Sequence, residues 1–175
     1  MAILNIPDQN TQITSVDDIR IYLNERGVFF DQWEAGEELA VDADQDTVLA
    51  AYNHTLAPYM EQNGYKTADV ININAGTPNY EAIRAKFLAE HIHTEDEVRF
   101  FVDGEGYFWF NLENGEAIFN VLCQKGDLIS VPANTKHWFD AGVSNPSVKA
   151  IRIFIDTSGW VPLYTDSGVA EKYVR

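Results

Sequence analysis

The chain has 175 residues, 27 of them acidic and 12 basic, for a formal net charge of -15. That balance argues against a nucleic-acid partner, which needs a basic footprint, and equally against an anionic membrane surface. The one cysteine, Cys123, allows no intrachain disulfide and points to a reducing compartment.

Apolar residues make up 46% of the chain, well above the disordered range. A chain of this length buries roughly 70% of its unfolded surface, so residues 1–175 are expected to form a single domain without staples. The first residues, MAILNIPDQNTQ, carry no basic leader, and no stretch approaches the ~20 apolar residues of a membrane span. The expectation is a cytoplasmic protein, and the high charge with no obvious apolar stripe favours a monomer.

Residues 1 to about 90 mix helical patterns with short strands. Met1 to Ile6 suits a strand. Ser15, with Asp18 three residues on, is an N-cap signal, and Val16, Ile19, Tyr22 and Leu23 follow at helical spacing. Gly27 closes that helix before a buried strand at Val28–Phe30. A second helix is expected over Asp44 to Asn63, with Val48, Tyr52, Leu56 and Tyr59 on one stripe, Gly64 as C-cap and Pro58 kinking it or ending it early. Thr77 followed by Pro78 predicts a third helix, running through Phe87 and Leu88 almost to His91.

From His91 to about residue 160 the chain is rich in β-branched and aromatic residues. Strands are expected at Glu97–Val102, Gly106–Leu112, Ala117–Cys123, Asp127–Val131, Thr135–Phe139 and Val148–Ile155. Asn114-Gly115 predicts a type I′ turn between two of them. Short antiparallel strands with regular turns suggest a barrel or double-sheet jelly roll.

There are four histidines, and two of them form His91-Ile92-His93. On a strand, positions i and i+2 share a face, so both imidazoles enter one space. A turn at Thr94–Asp96 and a hairpin would return the Glu97 carboxylate to them. Two imidazoles and a carboxylate suit a divalent transition metal with open positions. His137, on a later strand, completes the set as a fourth ligand. His54 has no neighbour in register and reads as structural or surface. Cys123 reads as a buried, inert thiol.

These residues resemble a known motif pair. His91-x-His93-x3-Glu97-x6-Gly104 is similar to the first cupin motif, and Gly126-x5-Pro132-x-Asn134-x2-His137 to much of the second. Asn134 stands where the second motif has glycine, and Ala141 where it has asparagine. The implied fold is mainly β with a helical N-terminal portion, a cupin β-barrel with the metal inside. The runs Arg84-Ala-Lys-Phe-Leu-Ala-Glu-His-Ile-His-Thr-Glu-Asp-Glu-Val-Arg-Phe-Phe-Val and Pro132-Ala-Asn-Thr-Lys-His-Trp-Phe-Asp narrow this to the acireductone dioxygenase family of methionine salvage. The resemblance is dense from about Pro78 to Trp160.

The resemblance implies that His91, His93, Glu97 and His137 hold one Fe2+ or Ni2+ per chain. It implies O2 and the acireductone 1,2-dihydroxy-5-(methylsulfanyl)pent-1-en-3-one as substrates. Iron would give 4-methylsulfanyl-2-oxobutanoate and formate. Nickel would give 3-(methylsulfanyl)propanoate, formate and CO. Arg99, on the strand face of Glu97, is expected to hold the substrate anion, and a salt bridge to Glu95, Asp96 or another carboxylate is the bland alternative. Arg152 is a weaker candidate of the same kind. Phe87, Phe139 and Trp160 are candidates to line a pocket for the methylsulfanyl tail. Two other classes compete: a metal-dependent cupin isomerase, which would keep the ligands without needing an anion site at Arg99, and a non-catalytic small-ligand cupin, a class that often loses one or more of the four ligands present here.

Overall fold

The structure, a computed structural model, describes residues 1–173, without the side chains of residues 159 and 160. In chain order its elements are strands β1 (Ile3–Ile6) and β2 (Thr11–Ile13), helix α1 (Val16–Asn24), strand β3 (Phe29–Gln32), helices α2 (Gln45–Ala51) and α3 (Asn53–Asn63), strand β4 (Thr67–Ile73) and helix α4 (Tyr80–Leu88). Seven strands follow: β5 (His91–Ile92), β6 (Glu97–Asn111), β7 (Phe119–Gln124), β8 (Asp127–Val131), β9 (Lys136–Asp140), β10 (Val148–Phe154) and β11 (Leu163–Tyr164).

The long strand β6 belongs to two sheets. Its first half, from Glu97, lies between β8 and β10, with β3 and β4 outside them. Its second half, from Glu105, lies between β7 and β9, in the order β11-β5-β9-β6-β7-β1-β2. This is the expected jelly roll, mainly β, with its two sheets joined through β6 rather than closed into a hydrogen-bonded ring.

The sequence suggested two strands here; the structure has one, bent at Gly104. Lys149 pairs with Asp103 and Ala150 with Phe101, so Val102 is one residue too many for β10. Such a bulge changes which side chains face inward. Before it Phe101 points between the sheets; after it Phe108 and Phe110 do, and all three share one core cluster. Val98, Phe100 and Val102 face the other way, onto Val48, Tyr52 and Leu56 of the helices. Gly104 is required at the bend. Its φ is +68°, and a Cβ there would lie 2.0 Å from the Ser147 carbonyl oxygen.

The helices follow their caps. Ser15 accepts from the Asp18 N–H at α1, and Asp44 accepts from the Thr47 N–H at α2. Ile19 and Leu23, the α1 stripe, are fully buried. The expected helix over 44–63 is instead two, broken at Tyr52, with Pro58 inside the second. Tyr52 is buried edge-on against Phe100, a tertiary contact that helical periodicity does not carry. Helix α4 starts at Tyr80, not at Pro78. Thr77 instead accepts from the Asn74 N–H in the preceding turn, and Asn79, in the left-handed region, is the N-cap. Strand β4 was not among the expected strands; it pairs with β10 along its whole length. Asn114 and Gly115 both have positive φ, and Glu116 N–H closes onto the Glu113 carbonyl, as the type I′ reading requires. That turn caps a longer loop, since ladder pairing stops at Phe110 and Phe119.

Candidate metal centre

Three imidazoles meet between the sheets. His91 on β5 pairs directly with His137 on β9, and His93 follows β5 by one residue. Their ring nitrogens include a set lying within 4.8 Å of one another. All three residues are buried, with exposures of 1% to 6%.

Glu97 reaches them by a different route from the expected hairpin. Strand β5 pairs with β9 and β11, not with β6. Residues 93–96 cross from one sheet to the other, where Glu97 pairs with Val131 of β8. The carboxylate therefore faces the imidazoles across the gap between sheets. Its Oε2 lies 3.0 Å from His93 Nε2 and 3.6 Å from His137 Nε2.

The outer ring nitrogens are tied to backbone carbonyls. His91 Nδ1 lies 2.7 Å from the Ala89 oxygen, His137 Nδ1 2.8 Å from Thr135 and His93 Nδ1 3.3 Å from Val161. Donation there places the proton on Nδ1 and leaves each Nε2 as a lone pair directed inward. His137 Nε2 is fully buried with no hydrogen-bond partner among the described residues. Inward lone pairs beside a carboxylate repel one another unless a cation lies among them, so the donor set fits a divalent metal ion. Asn134 has φ +61°, which lets it do the work of the motif's glycine, and its N–H donates to the His93 carbonyl at 2.8 Å.

The charges are strongly coupled. Burial opposes ionisation of Glu97, but Arg99 and the imidazoles of His137 and His93 hold its carboxyl well below the usual range. Burial, helped by the nearby His137, pushes His91 down to about 4. Arg99 is 3% exposed; its Nη2 donates to Glu97 Oε1, and its guanidinium lies 4.6 Å from the ring centres of both Phe108 and Phe139. Its Nε and Nη1 have no partner among the described residues. The carboxylate that pairs with Arg99 is thus Glu97, neither Glu95 nor Asp96 but another carboxylate, as the alternative reading allowed.

A cavity of about 180 Å³ opens beside this cluster. Phe87, Phe139, Arg99 and Arg152 all line it. Arg152 is also held by Asp69 of β4 through Nε at 2.8 Å and through Nη2. Trp160 lies outside the residues whose side chains are described. Gly106 is required beneath Phe139, because a Cβ there would lie 2.2 Å from the ring's Cζ.

Sequence reasoning missed the rest of the wall: Ile83 and Lys86 on α4, Phe108 on β6, and Pro162 and Tyr164 in the chain after Trp160. That last segment folds back over the site. Tyr164 pairs with His91, and Glu90, 5% exposed, accepts from Asn111 Nδ2 at 2.8 Å, Thr165 Oγ1 at 2.6 Å and Ser167 Oγ at 2.8 Å. No spacing motif announces Glu90; its place beside His91 was the only signal. His54 is exposed and Cys123 buried, both as expected.

A jelly roll with three histidines and a glutamate gathered between its sheets defines a cupin-type protein. The model of the ARD/ARD′ family matches residues 7–162, and the chain belongs to that family. It is 55% identical over 173 residues to the acireductone dioxygenase of Picosynechococcus sp., covering 99% of this chain and 97% of the relative. It is 43% identical to that of Klebsiella pneumoniae subsp. pneumoniae, covering 100% and 97%. The acireductone dioxygenase structure from Bacillus anthracis, with a cadmium ion in its active centre, superimposes with a TM-score of 0.82 at 36% identity, covering 94% of this chain and 98% of that one.

Proposed function

We propose that this chain is an acireductone dioxygenase that cleaves 1,2-dihydroxy-5-(methylsulfanyl)pent-1-en-3-one with O2 in methionine salvage. The observation that carries the reading is the convergence of three buried imidazoles and the Glu97 carboxylate on one small cavity, in a chain of this family. In this reading His91, His93, Glu97 and His137 hold one Fe2+ or Ni2+. When bound, such an ion would supply Lewis acidity beside the enediolate's negative charge.

The residues do the rest. The three Nδ1 anchors fix the imidazoles before the ion or substrate arrives, so little ordering remains at binding. Arg99 keeps Glu97 ionised and offers Nε and Nη1, which have no other acceptor, to the substrate anion. Phe87 and Phe139 meet edge to face at 6.1 Å and form an apolar wall for the methylsulfanyl tail. Pro162 and Tyr164 cover the cavity and keep bulk water from the electron-rich substrate. The same reading takes residues 1–175 as one cupin domain, a monomer in the cytoplasm. It is supported by the acidic charge and by the lack of any helix, among the described residues, long and apolar enough to cross a membrane.

The test is metal content by mass spectrometry on freshly purified protein, then O2 uptake and CO release with the acireductone. About one iron or nickel per chain with rapid uptake is expected, CO reporting the nickel route, and His93→Ala should lose metal and turnover together. Stoichiometric zinc or manganese, with no uptake after exchange to iron or nickel, would overturn the reading.

A further inference from the structure

The chain is strongly acidic, yet its cavity is not. Three cationic side chains, Lys86, Arg99 and Arg152, line it against one carboxylate, Glu97. Arg99 pairs with Glu97 through Nη2, and Arg152 pairs with Asp69. Lys86 differs from both. It is exposed, in the last turn of α4, and forms no ion pair with any described residue.

Its natural helical partner is taken. Glu90 lies four residues on, the spacing that would pair with Lys86 on a helix, but α4 ends at Leu88. The Glu90 carboxylate turns inward to Asn111, Thr165 and Ser167. Across from Lys86 stands Tyr164, whose hydroxyl reaches only the Lys86 carbonyl, at 3.5 Å. The ammonium is thus left as a solvated charge at the wall between α4 and the covering segment. A helix C-terminus favours a lysine in its last turn wherever the turn faces, which would place the residue here without any ligand. That account does not explain why its side chain lines this cavity.

We propose that Lys86 is the capture residue of the site: it draws a small enediolate anion past a molecule whose overall charge of -15 repels it. This rests on the acireductone reading and goes beyond it by assigning selection for anionic substrates to one side chain outside the metal cluster. Whole-molecule repulsion and a local cation at the mouth give opposite responses to salt. Repulsion is relieved by salt, so binding improves. Local attraction is screened, so binding weakens.

The experiment compares metal-loaded wild type with Lys86→Ala, Lys86→Glu and Lys86→Arg, using the acireductone as probe. Kd is measured by anaerobic titration, and kcat and KM in air, from about 20 to 500 mM ionic strength. At low salt Lys86→Ala should raise Kd and KM roughly three- to tenfold. Lys86→Glu should raise them further, Lys86→Arg should restore them, and the variants should converge on wild type at high salt. Equal Kd in wild type and Lys86→Ala at low salt, or a defect that persists at 500 mM, would overturn the proposal. Wild type that binds no acireductone at any salt would instead overturn the functional reading beneath it.

Discussion

Replacing Glu97 with Gln isolates the buried charge pair from the metal. The change keeps the shape and one acceptor oxygen but removes the charge. Glu97 is 1% exposed and Arg99 3% exposed, and Glu97 is the only hydrogen-bond partner of the Arg99 side chain among the described residues. Breaking a buried pair by neutralising one member costs about 3–5 kcal/mol, because the other charge is left uncompensated. The rings of Phe108 and Phe139, each 4.6 Å from the guanidinium, attract it equally before and after the change and so do not offset the loss. The expectation is a loss of about 3–5 kcal/mol, a large share of the roughly 5–15 kcal/mol typical of a domain. The reverse change, Arg99→Met, leaves the Glu97 carboxylate buried without its guanidinium partner and should also destabilise. The assay is urea unfolding followed by tryptophan fluorescence on protein stripped with EDTA, at pH 7.5, for wild type, both single variants and the double variant. The double variant should recover about 2 kcal/mol relative to the sum of the singles. Glu97→Gln within about 1 kcal/mol of wild type, or additivity within about 0.5 kcal/mol, would show that the pair does not hold the site as described.

Gly106→Ala would push a methyl to 2.2 Å from Phe139 Cζ, so overpacking should cost about 2 kcal/mol in the same unfolding assay, and adding Phe139→Leu should relieve most of it. The metal-free protein should also lose stability in mild acid. His91 is pushed down to about 4 in the fold but titrates near 6.5 when unfolded, so the unfolded chain binds more protons between those values. The contribution is fully present above pH 6.5 and is lost as pH falls towards 4, by at most ~3 kcal/mol. Glu97, also held below its ordinary value, adds to the loss at the acid end. Urea midpoints unchanged from pH 7 to pH 4.5 would contradict the burial of a neutral His91.

Much of the site was legible because its chemistry is local in sequence. His91, His93 and Glu97 lie within seven residues, and alternation along a strand brings the two histidines to one side. His137 needed only the expectation that a later strand returns to the same space. Two caps were equally readable: Ser15 and Gly64 bound their helices by a bond or backbone angle made within a few residues.

What required the tertiary structure depends on contacts between residues far apart in the chain. Helical periodicity could not separate α2 from α3, because Tyr52 breaks them while buried against Phe100, 48 residues on. Spacing placed Glu97 beside the histidines but chose a hairpin, whereas the chain crosses between sheets. The bend of β6 rests on a mismatch with β10, a strand some 45 residues away, and only that mismatch turns Phe101 and Phe108 into one interior. The cover over the cavity is held by Glu90, Thr165 and Ser167, ordinary polar residues with no pattern of their own. By itself the sequence determined the donor atoms, the local caps and the turn residues, since backbone geometry and side-chain chemistry act over a few residues. The folded chain decided which donors share a charge, which rings wall the cavity and where its mouth lies, because burial and pairing belong to the assembled sheets.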